Sequence, residues 1–323
     1  MPKKIIYFLI ALLCIISLLV SCTATSNNAD KSERKLRIGT LKGPTGMGMA
    51  KVINDNNDTG KYDIELFGAP EDISAKLISE NLDIAAVPVN LAAVINKKTE
   101  GKYVIAAINT LGVLHIVENG ETVKDISDLE GKTLYATGQA STPEYILNYI
   151  LEANGLKDKV NIVWKAEHSE LAALAASGTV DLAMLPEPHV TTALTKNSSL
   201  RTALDLTAEW DKISDGNAVQ GCIIVSKAAI NESKELIDGF LCEYLTSVQF
   251  VNTNISEAAA IIADTGIVPS ASVAEKAIPR CNIVYIDGDE MINILSSFYK
   301  VLYNANPSSI GGKLPDETLY YKR

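Results

Sequence analysis

Asp83-Ile-Ala-Ala-Val-Pro88 and Asp181-Leu-Ala-Met-Leu-Pro186 are one stretch of sequence written twice, 98 residues apart. A helical pattern precedes each copy, Ile73 to Ser79 and Leu171 to Ser177, at the same offset. Upstream, Lys35-Leu-Arg-Ile-Gly-Thr40 and Lys132-Thr-Leu-Tyr-Ala-Thr137 form a second matching pair, 97 residues apart. Each reads as a strand that enters a turn, Leu41 to Gly46 or Gly138 to Pro143, and then opens a helix. One such match is compatible with chance. Two in register across nearly fifty residues indicate an internal repeat, which is to be sought before any fold is assigned.

Within each copy strands alternate with helices: Ile38, Met47–Ile53, Ile64–Phe67, Ile73–Ser79 and Ile84–Val87 in the first. The strands are continuous apolar runs, as expected where both faces of a parallel sheet are covered. The pattern predicts α/β architecture: two doubly wound, Rossmann-like lobes built from right-handed βαβ units. The switch between lobes is expected near Asn119 to Glu130. The strand Ala218 to Val225 is expected to return to the first lobe. Helices are expected over Lys234 to Val251, Ile255 to Ile262, Val273 to Ala277 and Met291 to Tyr303. This predicts a first lobe of residues 35–120 and 216–323, carrying the C-terminal helices, and a second lobe of residues 121–215.

The amino terminus reads as an address. Lys3 and Lys4 precede the uncharged stretch Ile5 to Val20. As a helix this stretch spans about 24 Å, short of a hydrocarbon core of about 30 Å. A basic start, an apolar middle and a small residue make a secretory signal. It ends in Leu19-Val20-Ser21-Cys22, which resembles the bacterial lipobox, with Cys22 as the acylated residue after cleavage of residues 1–21. An uncleaved anchor and a plain secretory signal are the alternatives. Residues 22–34 are rich in Ser, Thr, Asn and charge and read as a flexible tether.

Composition bounds the function. The 323 residues carry 29 basic and 39 acidic side chains, a formal charge of −10. Without Lys3 and Lys4 the balance is 27 against 39, or −12. Such a chain lacks the basic face that nucleic-acid phosphates require. Five cysteines in this length are no disulfide scaffold. Cys222 lies in an apolar run and is expected as a buried thiol. His115, His168 and His189 have no metal-motif spacing, and no Walker loop, GxGxxG in strand–helix context or GxSxG elbow is present. No cofactor and no catalysis are expected. Asp83 and Asp181 precede strands, away from any cleft, and read as turn residues.

Ligands of open α/β sheets bind beyond the carboxyl ends of the strands. The repeat therefore points to Leu41–Gly46, Pro88-Val89-Asn90, Gly138–Thr142 and Pro186-Glu187-Pro188-His189, with Asn109–Gly112 as a further wall. Ser141-Thr142-Pro143-Glu144 has the form of a capping box. Its N–H groups either only start the helix or also face a ligand. Tyr145 sits in the first turn. Glu187, stiffened between two prolines, reads either as a solvated loop acid or as an acceptor of ligand hydrogen bonds at the cleft mouth, and the second reading predicts that Glu187→Ala weakens binding and spares stability. Lys42 is the one basic side chain in these loops. Trp164 and Trp210 are expected in the core.

The lipobox, the Gly43-Pro-Thr-Gly46 turn, Gly138-Gln-Ala-Ser-Thr-Pro-Glu144 and Leu185-Pro-Glu-Pro188 resemble the substrate-binding lipoproteins of ABC importers. The resemblance runs from Lys35 to Arg323 and is greatest to the nitrate/sulfonate/taurine and thiamine-precursor binding proteins. It implies a type 2 periplasmic-binding-protein fold, with two lobes joined by two crossover strands. By position it implies ligand contacts at Lys42, Gly43, Pro44 and Thr45; at Val89 and Asn90; at Thr110 and Leu111; at Gln139, Ser141, Thr142 and Tyr145; and at Glu187. The implied partners are a small-molecule ligand, an ABC permease with its ATPase, and the membrane through the lipid. The protein is expected to be a monomer. None of the five arginines lies in these loops, which disfavours a sulfonate. A nitrogen heterocycle such as a thiamine-type pyrimidine, or a small organic anion, is the expected ligand. The clustered cysteines and histidine of the pyrimidine synthases that share this fold are missing. A surface sensor or adhesin, or a small-molecule transferase, is the alternative function.

Overall fold

Continuous apolar runs become the inner strands of two mixed sheets. The computed structural model describes residues 34–214 and 216–323. The signal sequence, Cys22 and the tether up to residue 33 lie outside the described residues. The chain divides at Lys35, and Leu36–Arg323 form one unit. Its first repeat runs β1 (Leu36–Leu41), α1 (Pro44–Met47), α2 (Ala50–Thr59), β2 (Tyr62–Phe67), α3 (Pro70–Ile78), β3 (Ile84–Pro88), α4 (Val89–Lys98) and β4 (Tyr103–Leu111). After β5 (Leu114–Asn119) the second runs β6 (Thr133–Thr137), α5 (Thr142–Ala153), β7 (Asn161–Lys165), α6 (His168–Ala176), β8 (Leu182–Pro186), α7 (His189–Lys196), β9 (Leu200–Asp205) and α8 (Leu206–Asp211). The chain ends with β10 (Val219–Ser226), α9 (Lys227–Glu232), α10 (Lys234–Thr253), α11 (Ile255–Asp264), α12 (Ala271–Ala277), β11 (Ile283–Ile286) and α13 (Gly288–Ala305).

The strand orders are β11-β4-β10-β3-β1-β2 and β7-β6-β8-β5-β9. In the first sheet β1 pairs parallel with β2 and β3; in the second β6 pairs parallel with β7 and β8. Each parallel trio then accepts one antiparallel strand: β10 beside β3 and β4, β5 beside β8 and β9. The repeat is therefore a repeat of topology. Cys222, Ile223, Ile224 and Val225 of β10 are fully buried, as a central strand covered on both faces requires.

Three expectations change. The switch between sheets comes earlier than Asn119–Glu130, and the first lobe does not extend to 120. Ile116 of β5 pairs with Met184 and Leu204, so the crossing lies at Gly112–Val113. The expected helix from Met47 to Ile53 is broken between α1 and α2. At Gly48 a Cβ atom would stand 2.6 Å from the Tyr244 hydroxyl, so α10 packs against bare backbone there. Asp83 is no ordinary turn residue. It is buried at the start of β3 and accepts from the Arg37 backbone N at 2.9 Å, Nε at 3.1 Å and Nη2 at 2.8 Å, tying β1 to β3 at the end away from the cleft.

Trp210 is 1% exposed. Its ring lies 4.8 Å from Tyr149 of α5 and 5.5 Å from Phe298 of α13, and Nε1 donates to Gly216 O at 2.5 Å. The C-terminal helix thus packs on an aromatic cluster of the second lobe. Cys222 and Cys281 are buried free thiols and Cys242 is exposed.

Glu118, at the end of β5, is buried among donors. Thr122 N and Oγ1 donate to Oε1 at 2.9 and 2.6 Å, and Val123 N and the Arg201 guanidinium reach Oε2. Burial raises the carboxyl, but these donors outweigh it and hold it below its ordinary value. A depressed carboxyl contributes stability above its unfolded pKa, about 4.3, and loses it as pH falls through the folded value. Glu118→Gln is expected to cost about 1–3 kcal/mol at neutral pH in urea unfolding. It should also flatten the acid limb below about pH 4.5. Wild-type stability at both pH values in the variant would discard this account.

Candidate functional site

A cleft of about 630 Å³ opens beyond the carboxyl ends of β1, β3, β6 and β8. Backbone chemistry shapes its first wall. Gly43 takes φ 86°, a left-handed conformation that glycine adopts without a Cβ penalty. Lys42 N then bonds Phe67 O at 3.0 Å and Gly43 N bonds Ile267 O at 3.1 Å. At Gly46 a Cβ would stand 2.2 Å from Leu41 O, so the turn closes only on glycine. Lys42, Gly43, Pro44 and Thr45 all reach the cleft. Asn109 Nδ2 supports the turn by donating to Thr45 O at 3.1 Å.

Asn90, Thr110, Ser141, Thr142 and Glu187 also line the cleft. The other expected contacts do not. Val89 is buried in the core, and its carbonyl accepts from the Tyr299 hydroxyl at 2.8 Å. Leu111 and Gln139 are not among the lining residues, because Leu111 ends β4 and Gln139 turns out to solvent. Tyr145 faces a groove between α5 and α13, where Asn306 Nδ2 donates to its hydroxyl at 3.3 Å. Position 145 lies one turn further along α5 than the cleft-facing Thr142 and about 60° round the helix from it, where it meets α13 and not the cleft.

Ser141 is the N-cap of α5, with Pro143 in the first turn. Its hydroxyl donates back to Gly138 O at 2.6 Å instead of capping the helix, while Glu144 accepts from Ala140 N at 2.6 Å. Neither bond of the expected box is therefore made, because Glu144 reaches the nitrogen one residue before the N-cap. Thr142 Oγ1 donates to Asn90 Oδ1 at 3.1 Å. This bond joins the start of α5 on the second sheet to the start of α4 on the first, so the two walls touch across the cleft.

Glu187 is not a free acceptor at the mouth. Its side chain is fully buried, 2.6 Å from Arg280 Nε, and Thr191 N donates to Oε2 at 3.1 Å. Burial pushes its carboxyl above the ordinary range, while Thr191 and Arg280 pull the other way. Arg280 precedes β11 of the first sheet, and its Nη2 also donates to Thr202 of β9 at 2.9 Å. Nearby, Asn282 Nδ2 donates to Gly112 O at 2.5 Å, at the crossing itself. Arg280 thus bridges the two sheets. Its partner was hidden in the sequence because the two residues lie far apart along the chain.

His189, which closes the expected Pro186–His189 loop, lines the cleft, and so do residues outside the expected loops: His168, Gln220 and Ile267-Val268-Pro269. His168 and His189 open α6 and α7, with ring centroids 5.3 Å apart. Burial lowers both, and His189, with His168 beside it, falls to about 4. Both are uncharged at neutral pH. Their shared position at helix starts following strands was readable, but a search for metal-motif spacing does not register it. The Gln220 amide nitrogen is buried without a hydrogen bond among the described residues. Among those residues no group of three or more His, Cys, Asp or Glu side chains is disposed to hold a metal. No described helix is long and apolar enough to cross a membrane.

Solved structures share this architecture. An ABC transporter protein from Parabacteroides distasonis is 24% identical with a TM-score of 0.76, over 90% of this chain and 99% of that one. The periplasmic aliphatic sulphonate binding protein SsuA from Escherichia coli is 17% identical with a TM-score of 0.68, over 90% and 95%. The periplasmic nitrate-binding protein NrtA from Synechocystis is 14% identical with a TM-score of 0.56, over 80% and 74%. At these identities the likeness establishes the fold, that of the periplasmic binding proteins. No curated protein sequence matches the chain. The family model described as NMT1/THI5 like matches residues 69–258, more than half of the chain. With the repeat, the two mixed sheets and the cleft between them, this makes the chain a member of the NMT1/THI5-like family.

Proposed function

We propose that this protein is the extracytoplasmic solute-binding lipoprotein of an ABC importer. It captures a small organic ligand between its lobes and delivers it to a membrane permease driven by an ATPase. The observation that carries the reading is the Thr142–Asn90 hydrogen bond between the two walls, because it lies where repeat-related loops meet over one cavity. The relatives above, an ABC transporter protein and two periplasmic binding proteins, support the role. Anchoring through Cys22, on the outer face of the cell membrane, completes it.

The cleft chemistry narrows the ligand. Lys42, its one lysine, is exposed, and the buried Glu187 is neutralised by Arg280. The remaining donors and acceptors are the exposed Glu71 carboxylate, hydroxyls, amides and uncharged imidazoles. A sulfonate would meet no buried free cation here. A nitrogen heterocycle suits the lining better, flanked by Leu91, Val113 and Ile267. Binding proceeds by population shift: the open form takes the ligand on one lobe, and closure adds contacts from the other.

Calorimetry against pyrimidines, flavins, sulfonates and amino acids tests the ligand class; binding of sulfonates alone overturns the heterocycle reading. Thr142→Val should weaken the bound ligand about fivefold, the worth of one hydrogen bond near 1 kcal/mol, with the melting temperature little changed. Cys22→Ala should move the protein from the membrane fraction into the medium. Arg280→Ala leaves a buried carboxylate unpaired and cuts a bridge between the sheets. It should cost about 1–3 kcal/mol of stability and raise the ligand-free radius of gyration in small-angle scattering. An unchanged radius would mean that Arg280 does not govern closure.

A further inference from the structure

Two imidazoles stand on one wall of the cleft, and solute capture as described uses them as hydrogen-bonding groups alone. His168 and His189 open neighbouring helices and both line the cavity. The His168 ring is fixed. Its Nδ1 lies 2.6 Å from Thr137 Oγ1, at the end of β6, which leaves Nε2 as the unengaged nitrogen. The His189 ring makes no hydrogen bond or ion pair among the described residues; its recorded contact is the His168 ring, 5.3 Å away and tilted by 38°.

The spacing has a chemical meaning. A borderline dication binds imidazole nitrogen at about 2.1 Å, which puts each ring centre about 3.2 Å from the metal. At the tetrahedral angle, two such ring centres stand about 5.2 Å apart. The observed separation is 5.3 Å. The other nitrogen of a ligating histidine is usually held by an outer hydrogen-bonding group, most often a carboxylate, backbone carbonyl or water. Thr137 occupies that position toward His168. No third protein ligand completes the set among the described residues, and the wall opens on a cleft of about 630 Å³. The remaining coordination positions therefore face the space that a solute would fill.

We propose that His168 and His189 form a two-imidazole coordination site for a borderline transition-metal dication of the zinc, nickel and cobalt class. A small solute that chelates through nitrogen and oxygen occupies the other positions in the cleft. This deepens the solute-binding reading and rests on it: the cargo is then a metal chelate, held by coordination on the second lobe and by hydrogen bonds from the first.

The untagged chain titrated with Co²⁺ alone tests the site. About one equivalent should bind with the visible absorption of nitrogen-ligated, low-coordinate cobalt. His168→Gln and His189→Gln should each weaken uptake at least about tenfold with the melting temperature unchanged. Thr137→Val keeps both rings and should give a smaller loss. Free histidine, used as a chelating probe, should slow Co²⁺ release from the wild type but not from the double variant. No saturable uptake at millimolar Co²⁺, or uptake that survives in the double variant, overturns the proposal. Capture of metal-free solutes by a chain indifferent to Co²⁺ overturns it too, and leaves the importer reading standing. Histidine-dependent Co²⁺ uptake by a chain that captures no solute supports the site and counts against that reading instead.

Discussion

Each sheet of this protein is completed by a strand that runs against its parallel trio. β10 is hydrogen-bonded on both sides, to β3 and β4, and it arrives only after the whole second lobe. β5 does the same between β8 and β9, directly after the chain has left the first sheet. A strand buried on both edges and both faces leaves no unpaired backbone groups. The cleft follows from this constraint. The two crossings, at Gly112–Val113 and before Val219, fix the lobes at one side, so the strand ends carrying the loops must face each other on the other.

The repeat was legible because it is a local pattern: apolar runs, a Gly-Pro or Ser-Thr-Pro turn, and a helix period. Lys42–Thr45, Asn90, Thr110, Ser141 and Thr142 followed from topology alone, since carboxyl ends of strands converge whatever their side chains are. What was not legible depends on side-chain direction or on distant partners. Val89 and Tyr145 belong to the right segments but point elsewhere, one into the core and one into the groove between α5 and α13. Glu187 looked free because Arg280 is remote in sequence. β5 was misassigned because a buried antiparallel strand and a buried parallel one present the same continuous apolar run. His189 lay in an expected loop, but its pairing with His168 was passed over because motif spacing is blind to two residues brought together from separate loops.

The electrostatic character of the cleft comes from cancellation. Glu187 and Arg280 remove each other's charge, and burial keeps His168 and His189 uncharged. An acidic protein thus presents a nearly neutral interior to its ligand. In such a low-dielectric space, each unpaired donor or acceptor discriminates among solutes more sharply than it would in water.

The interposed position of β10 also sets an order of assembly. The second sheet is drawn from Leu114–Asp205 alone, a contiguous stretch with short loops, whereas the first needs residues 84–88 to wait for residues 219–226. Closing that longer loop carries the larger entropy cost, and non-local pairings form late. A chain that emerges amino end first therefore holds the edges of β3 and β4 open until the inner lobe has been made. The part of the protein that appears first is the part that finishes last.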